Sequence, residues 1–252
     1  MNLSACIEMI FTDREFVDRV DAVAEVGLPA FEFWGWGNKD LDAVKQRANA
    51  RNLAIATFGV AAAGALVNPG NEENFAKGVE ESSAVAQRMG TKTLLVTTGN
   101  ERDDISRAAQ HDAIVANLKA GAPVAEKAGI TLVLEPLNVL VDHRGHYLST
   151  SAEGFEIVKQ VDHPNMKLLF DIYHQQVTEG NLIQNISQDI ALIGHFHVAD
   201  VPGRHQPGTG EINYANVFRR IEDLGYTGYV GLEFRPTGDP AEALKQVKAI
   251  AP

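Results

Sequence analysis

The feature that most constrains this chain is an alternation repeated from one end to the other. Short apolar runs that suit a strand are followed by stretches with apolar residues at three- and four-residue spacing, which suit a helix. Strands are expected over 3–9, 30–34, 53–58, 93–97, 130–135, 166–171, 191–198 and 229–234. Helices are expected over 13–26, 41–51, 72–89, 104–128, 152–161, 181–190, 214–224 and 240–250, several of them stopped by a glycine such as Gly27, Gly90 or Gly129. Eight β-α units joined by short turns, with strands apolar enough to be covered on both faces, fit a closed parallel (β/α)8 barrel that leaves no edge strand. A doubly wound open sheet is the second choice, and no Gly-x-Gly-x-x-Gly follows the first strand to support its usual nucleotide site. With 252 residues, 45% of them apolar, and no Ser/Pro-rich linker, one domain over 1–252 is expected.

Charge and cysteine use narrow the function classes. The formal net charge is −11, with no basic cluster, so a nucleic-acid partner is not expected. The start, Met1-Asn2-Leu3-Ser4-Ala5-Cys6-Ile7-Glu8, has no basic stretch before its apolar residues, and no run of about 18 apolar residues occurs. A single cysteine, Cys6, allows no intrachain disulfide and suits a reducing compartment. The expectation is a cytoplasmic protein that neither spans a membrane nor binds nucleic acid. How many subunits assemble is left open, homo-oligomer included.

Chemistry is concentrated at strand ends. Glu135, Asp171, His197 and Glu233 fall at or near the carboxyl ends of the fifth to eighth expected strands, the end at which barrel enzymes carry their sites. Any one of them alone reads as a helix cap, a surface charge or a packed core histidine. Four on consecutive strands read as a divalent-metal site, rich in oxygen with one nitrogen, which suits Mn²⁺ or Mg²⁺ and admits Co²⁺ or Zn²⁺. His195 shares the face of His197 and is held in reserve. Trp34 and Phe58 are candidates for an apolar wall, and the small-residue stretch 59–71, centred on Ala61-Ala62-Ala63-Gly64, for an active-site loop. Glu8, Glu32, His205 and Glu211 receive no role.

The runs Glu135-Pro136-Leu137-Asn138, Phe170-Asp171-Ile172-Tyr173-His174-Gln175-Gln176, Gly208-Thr209-Gly210-Glu211-Ile212-Asn213-Tyr214 and Gly231-Leu232-Glu233-Phe234-Arg235-Pro236 resemble the hydroxypyruvate isomerases. These belong to the xylose isomerase-like TIM barrels, which also include the ketose 3-epimerases. The resemblance implies one divalent ion held by Glu135, Asp171, His197 and Glu233. It implies that Glu135 and Glu233 also serve as acid and base on opposite sides of the substrate, and that His174 and Arg204 contact substrate oxygens. His197 is the residue the epimerases carry, whereas Val141 stands where they have Glu. Two outcomes therefore stay open: isomerisation of a small hydroxy-keto acid such as hydroxypyruvate, and epimerisation of a keto-sugar. Both run through an enediolate, which a divalent cation stabilises and a placed carboxylate forms by removing a proton. Two further readings are weaker. An endonuclease of the endonuclease IV type needs extra histidines at the third and fourth strands, which here end in Phe58-Gly59 and Thr97-Thr98. A sugar-binding barrel without catalysis needs no opposed pair of glutamates at a metal.

Overall fold

The computed structural model describes residues 1–61 and 64–252. Nine parallel strands form one sheet: β1 (Asn2–Cys6), β2 (Ala30–Glu32), β3 (Ala54–Ile55), β4 (Thr57–Gly59), β5 (Thr93–Val96), β6 (Thr131–Leu134), β7 (Met166–Asp171), β8 (Ile193–Val198) and β9 (Tyr229–Leu232). Their order is β3-β2-β1-β9-β8-β7-β6-β5-β4. The two end strands are consecutive pieces of one run parted only by Ala56. Ala54, Ala56 and Gly59 donate backbone N–H groups to Pro29, Phe31 and Trp34 on one side, and Val60 donates to Leu95 on the other. The sheet thus closes into the expected eight-position barrel.

Helices α1 (Phe16–Val26), α2 (Leu41–Ala50), α3 (Glu72–Met89), α4 (Arg107–Lys127), α5 (Ser151–Val161), α6 (Ile172–Thr178), α7 (Leu182–Gln188), α8 (Tyr214–Asp223) and α9 (Pro240–Ile250) separate or follow the strands. Their starts are set by short polar side chains that accept a free N–H of the first turn: Asp40, Ser106, Thr150, Asn213 and Asp239. No helix among the described residues is long and apolar enough to cross a membrane.

Several boundaries shift by a few residues, and three differences go further. The first strand ends at Cys6 rather than at residue 9, because Met9 and Ile10 turn back to donate to the Cys6 carbonyl. Helix α6 was not expected as an element of its own. It begins where the Asp171 side chain accepts the His174 N–H, so one residue ends a strand and caps a helix. The stretch 59–71 contributes Gly59 to the main cavity and buries Leu66 and Val67. The centre of its small-residue run, Ala62 and Ala63, lies outside the described residues.

The core fills the barrel and the shell between sheet and helices. Phe31, Phe58, Phe170, Phe196 and Phe234 are fully buried on the strands or at their ends. The rings of Phe33 and Phe58 stack with centroids 5.3 Å apart, so Phe58 packs in the core as the wall reading anticipated only in part. This packing holds the strand ends rigidly enough to carry a site.

Candidate active site

Register places the four strand-end residues at one level. Asp171 and His197 are direct partners across β7 and β8, and His197 pairs with Gly231 of β9. Glu135 and Glu233 each sit one residue beyond their strands, and their N–H groups still donate to Val96 and Val198 of the neighbouring strands. All four side chains point into the barrel mouth and are buried: Glu135 5% exposed, Asp171 1%, His197 2% and Glu233 5%. Their ligand atoms lie within 4.8 Å of one another.

The contacts are short. His197 Nδ1 is 2.9 Å from Glu135 Oε1 and 3.5 Å from Glu233 Oε2. Glu233 accepts from two further donors, Trp34 Nε1 at 2.6 Å on Oε1 and Arg204 Nη2 on Oε2. Arg204 also lies 3.9 Å from Asp171, and its guanidinium stacks 5.2 Å above the Tyr173 ring. Trp34, expected as an apolar wall, is half exposed and contributes a hydrogen bond instead.

Crowding sets the protonation. Burial raises the Glu135 carboxyl above the usual range, against the pull of His197, and burial raises Asp171 against Arg204 and His197. At Glu233 burial is outweighed by His197, Arg204 and the Trp34 indole, so that carboxyl is lowered. Burial alone would lower the His197 imidazole, but Glu233, Glu135 and Glu32 surround it and hold it well above the usual value. Three buried carboxylates facing one imidazole make a donor set that fits a hard divalent cation: oxygen-rich, inward-facing and short of positive charge.

His174 is also brought to the site. Its Nδ1 accepts from the backbone N–H of Asn138 at 3.2 Å and from the Asn138 amide at 2.7 Å. The ring proton therefore sits on Nε2, which is buried without a partner, 3.6 Å from Asp171. Burial, with Arg204 nearby, holds this imidazole well below its usual pKa, so it is a neutral donor. Arg204 Nε is a second buried donor without a partner. Both residues line a cavity of about 630 Å³, together with Glu32, Glu135, Glu233 and His197.

Other residues carry the site without having been singled out. Glu32, 2% exposed, stands between His195 Nε2 at 3.1 Å and His197 Nε2 at 3.0 Å, and the two histidines lower its carboxyl to about 2 despite its burial. Its signal was present: a charge between Phe31 and Phe33 in a strand apolar on both sides cannot reach water. Asp142 accepts from Asn138 and Tyr173 and so braces the His174 support. Asp200, fully buried, accepts the N–H groups of Val201, Gly208, Gly210 and Ile212, and folds the Arg204 loop around itself. Three residues left without a role lie outside the carboxylate group. Glu8 pairs with Lys39 at 2.6 Å, His205 bonds the Arg235 carbonyl, and Glu211 accepts from Gln176.

Comparison with known proteins gives the family. The xylose isomerase-like TIM barrel family matches residues 20–250. The 2-oxo-tetronate isomerase of Cupriavidus necator is 32% identical, over 97% of this chain and 96% of its own. The hydroxypyruvate isomerase of Escherichia coli is 32% identical over 94% of both. A Brucella melitensis structure described as an AP endonuclease, family 2, superposes with a TM-score of 0.92 at 28% identity, covering 100% of this chain and 99% of that one. The chain belongs to the xylose isomerase-like TIM barrel family, among the relatives of the hydroxypyruvate and 2-oxo-tetronate isomerases.

Proposed function

We propose that this protein is an isomerase of a small hydroxy-keto acid of the hydroxypyruvate type, working with one divalent cation, Mn²⁺ or Mg²⁺, held by Glu135, Asp171, His197 and Glu233. The observation that carries the reading is the convergence of these four buried side chains within 4.8 Å, on four adjacent strands, beside the cavity. The names of the relatives at 32% identity support the reaction class.

When bound, the cation polarises the substrate carbonyl and the neighbouring hydroxyl, which makes the proton on the intervening carbon acidic enough for a carboxylate to take. The chain's own residues do the rest. Glu135 and Glu233 are the outer members of the arc β6-β7-β8-β9, so they approach the substrate from two sides. One, as a carboxylate, removes the proton from the hydroxyl-bearing carbon, and the other, as a carboxylic acid, delivers its own proton to the adjacent carbon. The hydroxyl proton passes to the former carbonyl oxygen, and exchange with solvent resets the two carboxyl groups. Trp34 Nε1 and Arg204 Nη2 fix the Glu233 carboxylate, which keeps its oxygens from swinging away from the carbon they serve. His174 Nε2–H and Arg204 Nε–H are unspent donors aimed at substrate oxygens.

A second reading, C3 epimerisation of a free ketose, is favoured by the cavity. Its volume of about 630 Å³ is ordinary for a small-molecule site and roomier than a three-carbon acid needs. The endonuclease reading has less support: the residues just past β4 and β5 are Val60 and Thr97, and the net charge is −11.

The test is turnover of hydroxypyruvate, 2-oxo-tetronate and a panel of ketoses, in deuterated water, before and after chelation. A keto acid should be isomerised, with deuterium entering at the carbon that receives the proton. Activity should vanish with chelator and return with Mn²⁺ or Mg²⁺. Full activity in protein shown by elemental analysis to be metal-free sinks the reading. Inversion of a ketose at C3 without keto-acid turnover transfers it to the epimerases.

A further inference from the structure

Glu32 is a buried acid outside the proposed ligand set and the proton transfer. It ends β2, and its two oxygens face two imidazoles of β8: Oε2 lies 3.1 Å from His195 Nε2, and Oε1 lies 3.0 Å from His197 Nε2. The second contact is close but off-line, and neither atom in it has any other hydrogen-bond partner. A buried carboxylate has to find donors, and the imidazole nitrogens are the donors within reach.

The space it occupies is kept open for it. A Cβ added at Gly231 would sit 2.1 Å from Glu32 Oε1 and 2.7 Å from His197 Cδ2. Gly231 is the register partner of His197, so any side chain there would push carboxylate and imidazole apart. On the other edge of the His197 ring, Nδ1 faces Glu135 and Glu233. The ring is thus held between two acidic groups with opposite needs. One side is the candidate cation group, which needs a lone pair. The other is Glu32, which needs a proton.

We propose that Glu32 is a positioning residue that accepts the Nε2–H of both His195 and His197, and so leaves Nδ1 of His197 as the nitrogen turned towards the cation. Imidazole offers one lone pair when neutral, and the hydrogen bond made by one nitrogen decides which of the two carries it. The proposal rests on the cation reading given under Proposed function. It competes with one alternative built on the same atoms. Glu32, His195 and His197 also bring ligand atoms within 4.8 Å of one another, and a second cation among them would need both Nε2 atoms stripped of protons.

The two are separated by ring-nitrogen NMR on protein labelled with ¹⁵N-histidine, with and without Mg²⁺, and by calorimetry of Mn²⁺ binding to the metal-free chain. The expected results are protonated Nε2 on both rings and one Mn²⁺ per chain. In Glu32→Gln, the amide presents its own N–H to one imidazole. Mn²⁺ affinity should fall by about 10- to 100-fold, the usual loss when the partner of a ligating histidine is removed, and one histidine should change its protonated nitrogen. Glu32→Asp, which keeps the charge but shortens its reach, should fall between the two, and it carries the test if Glu32→Gln does not fold. Gly231→Ala should reproduce the affinity loss by displacing the carboxylate without removing it. Unprotonated Nε2 on His197 in the wild-type protein, two cations per chain, or wild-type affinity in Glu32→Gln overturns the proposal. If the wild-type chain binds no divalent cation, the proposed function fails, while the ring-nitrogen readings still decide what Glu32 does.

Discussion

Glu233 accepts from the Trp34 indole on one oxygen and from the Arg204 guanidinium on the other, while His197 lies 3.5 Å away. In the proposed mechanism this carboxylate serves as both ligand and aligned base, and replacement can separate the two roles. Glu233→Gln keeps the size and one ligating oxygen but removes the proton acceptor. It should cost at least ~10²-fold in kcat while Mn²⁺ and substrate still bind, checked by single-turnover kinetics beside calorimetry. Asp171→Asn should do the reverse, weakening Mn²⁺ binding so that excess Mn²⁺ restores much of the rate. Near-normal turnover by Glu233→Gln at full cation occupancy would mean that the base lies elsewhere.

Two loops hold the donors over the strand ends, and each is organised by one buried polar residue. In the loop after β8, the Asp200 carboxylate accepts four backbone N–H groups between residues 201 and 212, so a segment rich in Pro and Gly is tied to a fixed centre. Gly210 is needed there because an added Cβ would meet the Val201 carbonyl oxygen at 2.1 Å. Asp200→Asn turns an amide N–H towards backbone donors. Denaturant unfolding should show a loss of about 1–3 kcal/mol. KM should rise as well, because Arg204 loses its fixed place. Unchanged stability would show that the carboxylate does not organise the loop.

The loop after β6 is pinned differently, by His146 Nε2 against Thr98 Oγ1 at 3.1 Å. Burial, with His143 adding to it, lowers the His146 pKa from 6.5 to about 4. Between those values the unfolded chain binds the proton and the folded chain does not. This contribution to stability is therefore complete above pH 6.5 and falls as the pH drops towards 4, by roughly 3 kcal/mol in all. His146→Gln cannot take up a proton, so its unfolding midpoint should vary less steeply with pH than the wild-type midpoint across that window. Parallel curves would remove His146 as the cause.

For the whole molecule, barrel closure makes the site. The four candidate ligands come from β6, β7, β8 and β9, and β9 is held in line by pairing with β1, the other end of the chain. Glu32 reaches His195 across 163 residues of sequence, and Trp34 reaches Glu233 across 199. A cation that binds only this assembled state stabilises it by mass action, by about 2.7 kcal/mol at a hundredfold excess over Kd. At the ~2–4 °C per kcal/mol of a chain this size, Mn²⁺ should raise Tm by roughly 5–11 °C over chelated protein. No shift in Tm with Mn²⁺ or Mg²⁺ would argue against a resident cation.

The sequence by itself determined the barrel, most of its elements and the four strand-end residues, because periodicity, caps and the polarity of a strand's last residue are local properties. Helix 41–51 could be read from its apolar spacing, and Asp171 from its place at the end of an apolar run. Tertiary structure decided what those residues face. The break at Ala56, the proton on His174 Nε2, the hydrogen bond from Trp34 and the pairing of Glu32 with two histidines depend on register and ring closure, which bring distant strand ends to one level. No local pattern carries that information. A glutamate between two phenylalanines says only that a charge is buried, and the fold supplies the partner that makes burial affordable.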